Sequence, residues 1–527
     1  MINLKSEREK QSRRSRSGWL LLWLPIVPAV GLVEQRSWGQ AALENWKQQM
    51  VAKGETFDAV RLWPPASARS VEFSKQLAQV TKTLPGRLQI YAGGMSGIIP
   101  DESGKARRGS QEPFPPINHH CVAVDEGYTW QDLDKLLQQS QPALQRLLEL
   151  LKDPPTGIDY DIIKRQTTDS LPSFVAHRIA AQTLCASAIN NLHRGNLEGA
   201  TQDLQALRSF GKVGEQDPTL ISLMIRMAIM GMSIDVCWDA LQTDGWTEPQ
   251  LAGLQRQCLE VTNVLSQLPR ALEAERIARI YELEWFRSHS YPEWVARFRV
   301  RYAGSGWQPV PTDEATAVSL WRQGWLNRSW TVAWSEPEEL KYMQAVQLEL
   351  QALREVPHTL SALRLKEEIN ASRQGYRVPG AASRFYIKLP LADSYNDWSA
   401  GNQTRDSSYP YPDYSGAWFV VIKNLTLNEM VRTAIALKRY GLKYGKSPSD
   451  LAALVPDFLP GLPHDLMDGQ PLRYRLESSG GFTLYSVGED FQDDGGNAVA
   501  STTNGASADR LAWNGKDLVW PRLLPSD

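Results

Sequence analysis

The chain has 527 residues, which is too long for one ordinary hydrophobic core and predicts about two to four domains. Its 57 basic residues nearly balance its 59 acidic residues, which excludes the basic excess expected of a general nucleic-acid binder. Four cysteines exclude a disulfide scaffold; Cys185, Cys237 and Cys258 are expected to be buried thiols, and a single bridge from Cys237 to either of the other two stays an alternative.

The first 33 residues predict an export anchor. A basic tail over residues 1–17 precedes the uncharged segment 18–33, which is somewhat shorter than the about 20 residues of a spanning helix. Because basic residues are retained in the cytoplasm, we expect a single-pass protein of the bacterial inner membrane with its C-terminal bulk in the periplasm. A cleaved signal peptide and an ordinary cytosolic apolar helix are the alternatives.

Residues 34–128 are expected to form an irregular membrane-proximal segment, because Pro and Gly interrupt every periodic pattern. His119, His120 and Cys121 invite a metal-site interpretation. Adjacent histidines point in different directions in regular structure, and no second ligand pair follows at a zinc-finger spacing. A loop or strand edge is therefore the expected structure at this point.

Helical signals dominate residues 129–375 and predict a large α-helical domain. Asn196 follows Gly195 as the N-cap of a helical hairpin that loosely resembles a tetratricopeptide-type pair. Asp217, followed by Pro, predicts the start of the next helix. Thr247 and Gln250 form a capping-box pattern that predicts the start of another.

The stretch from Leu220 to Trp238 is apolar on almost every face of the helix it predicts, so it resembles a second membrane-spanning segment. Arg226 and Asp235 oppose that interpretation, because a charge in mid-membrane costs at least ~2.5 kcal/mol. We therefore expect a buried core helix. An unbroken apolar stripe from Leu251 to Leu268 predicts a further helix, and residues 285–334 concentrate tryptophans that indicate either packed short helices or a ligand surface.

Residues 376–415, rich in Gly, Pro, Ser and Tyr, are expected to form a linker or long loop before a C-terminal α+β domain over 416–527. A helix is predicted from Leu425 to Tyr444, with Gly445 as its stop. A short helix, two or three strands and the acidic, glycine-rich loop 489–497 follow. The predicted fold is mainly α, with an N-terminal membrane anchor, a large helical array and a small α+β domain.

This order of elements resembles the globular domain of type II secretion major pseudopilins. The matching stretches are 440–448, 463–469, 485–490, 493–496 and a closing segment at 516–520, for which Ala508-Asp509 is an alternative. The chain departs from that family at its N-terminus, which lacks the prepilin cleavage site and the glutamate of the filament helix. The overall layout also resembles that of signal-anchored bacterial envelope proteins.

The resemblance implies a calcium ion in the acidic loop. Calcium takes about six to eight oxygen ligands, mostly carboxylates and carbonyls. The ligands implied here are the carboxylates of Asp490, Asp493 and Asp494, a late Asp517 or Asp509, and the carbonyls of Leu484 and Val487. A solvated acidic turn without an ion is the alternative.

The sequence contains no motif of a known catalytic site, which favours a non-catalytic protein. We expect a membrane-anchored envelope protein that acts as an interaction or scaffold component, associated with a type II secretion or pseudopilus-like assembly. Its expected partners are the inner membrane, through residues 18–33, and envelope proteins, with no nucleic acid. An anchored hydrolase using His119, His120 or an acidic residue, and a solute- or glycan-binding protein using the aromatics of 285–334, are the alternatives.

Overall fold

A computed structural model gives the architecture of this mainly helical chain. It describes residues 34–63, 66–85, 98–100, 105–108, 130–157, 175–258, 261–290, 293, 328, 330–375, 414–478, 480–497, 516–520 and 522–523. Several sequence-based expectations fall outside these residues: those for the tail and apolar segment 1–33, for His119, His120, Cys121 and Asp509, for the linker up to residue 413, and for most of the 285–334 tryptophans.

The described residues contain fourteen α-helices. They are α1 (34–52), α2 (Ala59–Leu62), α3 (Ala68–Thr81), α4 (Trp130–Gln139), α5 (Gln141–Leu150), α6 (Val175–His193), α7 (Leu197–Phe210), α8 (Leu220–Gln242), α9 (Glu248–Arg256), α10 (Val261–Leu265), α11 (Gln267–Ser288), α12 (Ser335–Thr359), α13 (Ala362–Gly375) and α14 (Ser415–Tyr444). A π-helical turn, Trp330–Trp334, precedes α12, and a 3₁₀ turn, Leu451–Leu454, follows α14.

Six short strands form two three-stranded sheets among the described residues. They are β1 (Ile98–Pro100), β2 (Lys105–Arg108), β3 (Arg473–Leu476), β4 (Phe482–Ser486), β5 (Leu518–Val519) and β6 (Arg522–Leu523). In the first sheet β2 pairs antiparallel with β1 and parallel with β6. In the second sheet β4 lies between β3 and β5, antiparallel to both, with Tyr485 opposite Val519.

The described residues divide between two compact units. Unit 1 takes them from Met1–Leu62 and Glu275–Gln347, and unit 2 from Trp63–Asp161, Pro172–Ala274 and Leu348–Asp527. Helix α14 packs against α8 and α9 within unit 2. The helical residues 175–256 and the C-terminal strands therefore belong to the same unit.

A buried guanidinium organises the described part of unit 1. Arg276 is fully buried and donates to Gln347 Oε1 at 2.7 Å and to Glu55 Oε2 at 3.1 Å. Gln347 in turn donates to Glu55 Oε1 at 2.8 Å, and the Arg276 guanidinium lies 4.7 Å from the centre of the Phe57 ring. Because a buried charge is tolerated only when it is paired, this network holds the segment after α1 to α11 and α12.

Helix α8 is the central core helix of unit 2, as the sequence predicted. It packs against α6, α7 and α14, and Met227 and Trp238 are almost completely buried. Arg226 is buried as well and donates to the Gly211 carbonyl at 2.8 Å and to Gln267 Oε1 at 2.6 Å. By length and composition α8 is the one described helix that could cross a membrane, a property that buried core helices share.

Three helix boundaries differ from the sequence prediction. Helix α8 is capped by Thr219, whose side chain accepts from Ser222 N, whereas Asp217 accepts from Thr219 N. The apolar stripe from Leu251 to Leu268 is divided among α9, α10 and α11. Helix α14 begins at Ser415.

The early start of α14 has a tertiary cause. Trp418, Val421 and Ile422 lie in its first turns and are almost fully buried. The Trp418 indole donates to Glu349 Oε1 at 2.5 Å. Burial of these side chains therefore stabilises helix over residues that the periodicity of the sequence placed outside it.

Candidate functional site

The C-terminal strands are joined to α14 by a compact connection whose local signals are readable in the sequence. Gly445 ends α14 in the left-handed conformation, with φ 70°, as expected for a helix stop. Asp450 then caps the 3₁₀ turn by accepting from Ala453 N at 3.1 Å. Strand β4 is buried at four consecutive positions, Thr483 to Ser486, and Val487 directly after it is buried as well.

Asp465 is the polar centre of this region. Its side chain is completely buried and accepts from Met467 N at 3.0 Å, Val487 N at 2.8 Å and Ser486 Oγ at 2.8 Å. Burial raises the pKa of Asp465, although these hydrogen bonds oppose the rise. The carboxylate therefore ties the 463–469 connection to the end of β4.

Arg473 on β3 joins three acidic residues. Its guanidinium lies 3.0 Å from Asp465 Oδ2, 2.5 Å from Asp468 Oδ2 and 3.4 Å from Asp493 Oδ2. Its side chain is 18% exposed, so the pairing with the buried Asp465 is shielded from solvent on most sides. Arg473 thus connects the 463–469 connection, the hairpin and the acidic loop through one side chain.

Asp517 holds the acidic loop against β5. Its carboxylate accepts from Gly496 N at 2.7 Å, Asn497 N at 2.9 Å and Asp494 N at 3.3 Å. Burial raises its pKa, and these three backbone hydrogen bonds act in the opposite direction. A buried carboxylate bonded to three backbone amides of one loop closes that loop, as the side chain of an N-cap residue closes the start of a helix.

Asp493 also has its oxygens engaged within the loop. It accepts from Gly495 N at 3.0 Å and from the Tyr485 hydroxyl at 3.1 Å, beside Arg473. Partial burial acts to raise the pKa of Asp493, but these hydrogen bonds and the Arg473 charge outweigh burial and lower it. Burial, with the Asp493 hydrogen bond, raises the pKa of Tyr485 to about 12.

The other expected calcium ligands have separate partners. Asp490 accepts from Gln492 N at 3.0 Å, and Asp494 lies 3.5 Å from Lys516 Nζ. The Leu484 carbonyl accepts from Trp520 N at 2.8 Å as part of the strand pairing. Val487 lies at the strand end, where its N–H donates to Asp465.

These contacts do not fit a preformed calcium site. No group of three or more His, Cys, Asp or Glu side chains placed to hold a metal ion occurs among the described residues. To bind one calcium ion together, the carboxylates of the acidic loop would have to give up their hydrogen bonds and ion pairs with backbone amides and basic side chains. Calcium binding at Asp490, Asp493, Asp494 and Asp517 stays a prediction.

Asp465, Asp468, Arg473, Asp493 and Asp517 form a charged cluster that acts as a structural clamp. Each carboxylate in it is fixed by amides, hydroxyls or a guanidinium, and a pair able to act as acid and base on a substrate does not occur in this described cluster. The arrangement keeps the loop, hairpin and 463–469 connection in one geometry. It can therefore present a surface of fixed shape.

Two surface features adjoin the clamp. An open depression of about 170 Å³ lies beside the connection that follows the 3₁₀ turn, and Leu462 on its rim is 45% exposed. At the end of α14, Tyr440, Tyr444 and Phe458 form an aromatic cluster, with Tyr440 centred 4.5 Å from Tyr444 and 5.7 Å from Phe458. Lys443 Nζ lies 5.1 Å from the centre of the Tyr444 ring, which is 47% exposed.

Sequence reasoning missed the roles of Asp465 and Arg473. The stretch 463–469 entered only as part of the resemblance to pseudopilins, and nothing in it indicated that Asp465 would be buried. One signal could be read from the sequence. Side chains alternate between the two sides of a strand, so Arg473 and Arg475, two residues apart, lie on the same side of β3. Asp517 was one of two alternatives for the late residue beside the acidic loop, and the structure brings it there through amide hydrogen bonds. The other alternative, Asp509, lies outside the described residues.

Comparison of the chain with protein-family models, curated proteins and solved structures gave no significant match.

Proposed function

We propose that this chain is a non-catalytic, membrane-anchored envelope protein that acts as an interaction or scaffold component. The observation that carries the proposal is the aromatic cluster of Tyr440, Tyr444 and Phe458, held at the end of α14 beside the clamped strands. Tyrosine and phenylalanine are enriched in the cores of protein interfaces, because a rigid ring buries much area at a small entropic cost.

The rigidity of the surroundings supports a binding role. Helix α14 is buried along most of its length, and Lys438 donates to the carbonyls of Leu241 at 2.6 Å and Thr243 at 2.8 Å. Arg439 donates to Gln255 Oε1 at 2.6 Å and pairs with Glu248. A surface fixed in this way loses little conformational entropy when a partner binds.

The finer parts of the proposal rest on the sequence. The basic tail 1–17 and apolar segment 18–33 support a single-pass location in the bacterial inner membrane, with the bulk of the chain in the periplasm. The order of elements in 416–527 supports a pseudopilin-like α+β domain. From it we propose association with a type II secretion or pseudopilus-like assembly, with calcium as a ligand of that domain. The partners proposed are envelope proteins.

Site-directed photo-crosslinking in cells tests the interaction surface. A photoreactive phenylalanine analogue replaces Tyr444, and the matched control places it at Gln79, an exposed position on α3 in the same unit. We expect discrete adducts with envelope proteins from position 444 and only a diffuse background from position 79. Mass spectrometry of the adducts then names the partners.

Two outcomes contradict the proposal. Identical adduct patterns at the two positions mean that the end of α14 is ordinary surface. Adducts formed only with cytoplasmic proteins contradict the periplasmic location.

A further inference from the structure

A polar cavity of about 200 Å³ lies in unit 2, between α4, α5, α6 and α7. Most of its lining residues are acids, amides or hydroxyls; they include Asp134, Gln138, Ser187, Asn190, Asn191 and Asp203. At about 30 Å³ for each water in the liquid, it holds about six or seven waters or a small organic molecule of similar size. Nothing in the proposed function uses this cavity.

The first carboxylate in the cavity, Asp134, is already neutralised. It accepts from Arg194 Nη1 at 2.6 Å, from Asn190 Nδ2 at 2.9 Å and from Gln138 Nε2 at 2.7 Å. The Arg194 side chain is 56% exposed, so this ion pair stands at the solvent side of the cavity.

The second carboxylate, Asp203, is 2% exposed and has no basic partner among the described residues. Its hydrogen-bond partners are neutral: Asn191 Nδ2 donates to Oδ2 at 2.8 Å, and Ser187 bonds to the same carboxyl group. Burial raises its pKa to about 7, because these neutral partners do not offset the loss of hydration. A cation that entered the cavity would favour the ionised form.

A second buried acceptor lines the same cavity. Asn190 is 6% exposed, and its Oδ1 has no hydrogen-bond donor among the described residues, since only its Nδ2 is used, by Asp134. A buried acceptor without a donor has lost its hydration and gained no hydrogen bond in exchange. The cavity thus contains a buried carboxylate without a cation and a buried amide oxygen without a donor.

The floor of the cavity is closely fitted. A Cβ at Gly199 would lie 2.5 Å from Asn196 Nδ2 and 2.9 Å from Asn191 Cγ. Asn191 is itself fixed between Asp203 and Asn196, whose Nδ2 donates to Asn191 Oδ1 at 2.9 Å. The Asn191 amide that holds Asp203 therefore has one geometry, which keeps the carboxylate oriented.

The geometry points to a binding site in this cavity for a small organic cation that carries a primary ammonium group, with Asp203 as its counterion and Asn190 Oδ1 as a hydrogen-bond acceptor. An ammonium group has three donors and a positive charge, so it meets both needs at once. A neutral hydroxyl compound supplies a donor for Asn190 but leaves the Asp203 charge without a partner.

Calorimetric titration of the full-length protein tests the site with named probes. The probes are 1,4-diaminobutane, its neutral analogue 1,4-butanediol, and Nα-acetyl-lysine amide, which presents the ammonium of a peptide lysine. We expect saturable binding of an amine and none of the diol. Tighter binding of the lysine amide identifies a lysine side chain as the source of the ammonium, and tighter binding of the diamine identifies a free amine.

The variants locate the binding. Asp203→Asn keeps the shape of the side chain and removes its charge, so amine binding should weaken at least about tenfold. Glu198→Gln removes the same charge from an exposed position of α7 that does not line the cavity, and binding should be unchanged. Gly199→Ala, which crowds the cavity floor, should also weaken binding.

Hydrogen exchange of α6 and α7 confirms that each variant keeps the fold. Three results overturn the inference: no amine binding to the wild-type protein, equal binding of the diol and the diamine, or amine binding that Asp203→Asn and Glu198→Gln affect equally. The last result would assign the binding to unspecific surface charge.

Discussion

Replacing Asp203 by Asn should stabilise the hairpin of α6 and α7 at neutral pH and leave its stability nearly unchanged in acid. The carboxyl group ionises near pH 3.8 in an unfolded chain, but burial in the folded protein raises its pKa to about 7. Between these values the folded state binds more protons than the unfolded state. Stability therefore falls as the pH rises through this window.

The size of the effect follows from the same shift. A rise of about three pKa units, at about 1.4 kcal/mol for each unit, corresponds to about 4 kcal/mol once both states are ionised, above about pH 7. Below about pH 4 the carboxyl group is neutral in both states and contributes no difference. The Asn191 amide that donates to Asp203 Oδ2 can donate to the amide oxygen of the variant, so the hydrogen bond is kept.

Other titrating groups cancel in this comparison, because the two proteins share them. His177 is an example: burial lowers its pKa to about 4, so its contribution to stability is lost as the pH falls from about 6.5. This slope opposes that of Asp203 and would mask it in the wild-type protein alone. The difference between wild type and Asp203→Asn isolates the one carboxyl group.

Hydrogen exchange of peptides from α6 and α7, with both proteins at the same pH, measures the effect. The free energies of opening should agree near pH 4 and differ by up to about 4 kcal/mol near pH 8, with the variant the more stable. Asp134→Asn is the matched control with the opposite sign, because the Asn190 and Arg194 hydrogen bonds lower the pKa of Asp134. A difference for Asp203→Asn that stays constant with pH would refute the reasoning.

Three further predictions concern the C-terminal strands and the anchor. Arg473→Met leaves the buried Asp465 without its guanidinium partner. It should lower the free energy of opening of β3 and β4, measured by hydrogen exchange, by about 3 kcal/mol. Arg475 is exposed, so Arg475→Met should change that free energy by less than about 0.5 kcal/mol. If calcium binds the acidic loop, calcium at about 100 times its dissociation constant should add about 2.7 kcal/mol to the free energy of unfolding. The double variant Asp493→Ala, Asp494→Ala should remove this stabilisation. Identical melting curves with calcium and with chelator speak against calcium binding. Alkaline phosphatase fused after Asp527 should be active, and a cytosolic reporter there inactive; the reverse pattern contradicts the proposed topology.

Local signals in the sequence determined several helix ends correctly. Asn196 accepts from Gly199 N at 3.1 Å, Thr247 and Gln250 form the expected capping box, and Gly445 ends α14 in the left-handed conformation. Each of these signals acts through a hydrogen bond or a backbone angle within a few residues. Such contacts form in the same way in many tertiary settings, so the sequence alone specifies them.

Longer-range packing decided the boundaries that the sequence mispredicted. The stripe from Leu251 to Leu268 fits one helical face, but it is divided among the three helices α9, α10 and α11. Helix α14 extends back to Ser415 because Trp418 is buried and bonded to Glu349, which is far away in the sequence. Hydrophobic periodicity reports which side of a segment is buried and does not report what buries it.

The sequence by itself determined that this chain is mainly helical and that α8 is a core helix, and it left Asp517 and Asp509 as alternatives beside the acidic loop. Only the tertiary structure decided what the charged side chains do. Asp465 and Arg473 became a clamp, and Asp203 became a buried carboxylate beside Asn190, because their environments are assembled from separate segments. The pKa and the partners of a charged group depend on burial and on neighbours distant in the chain, and these exist only after folding.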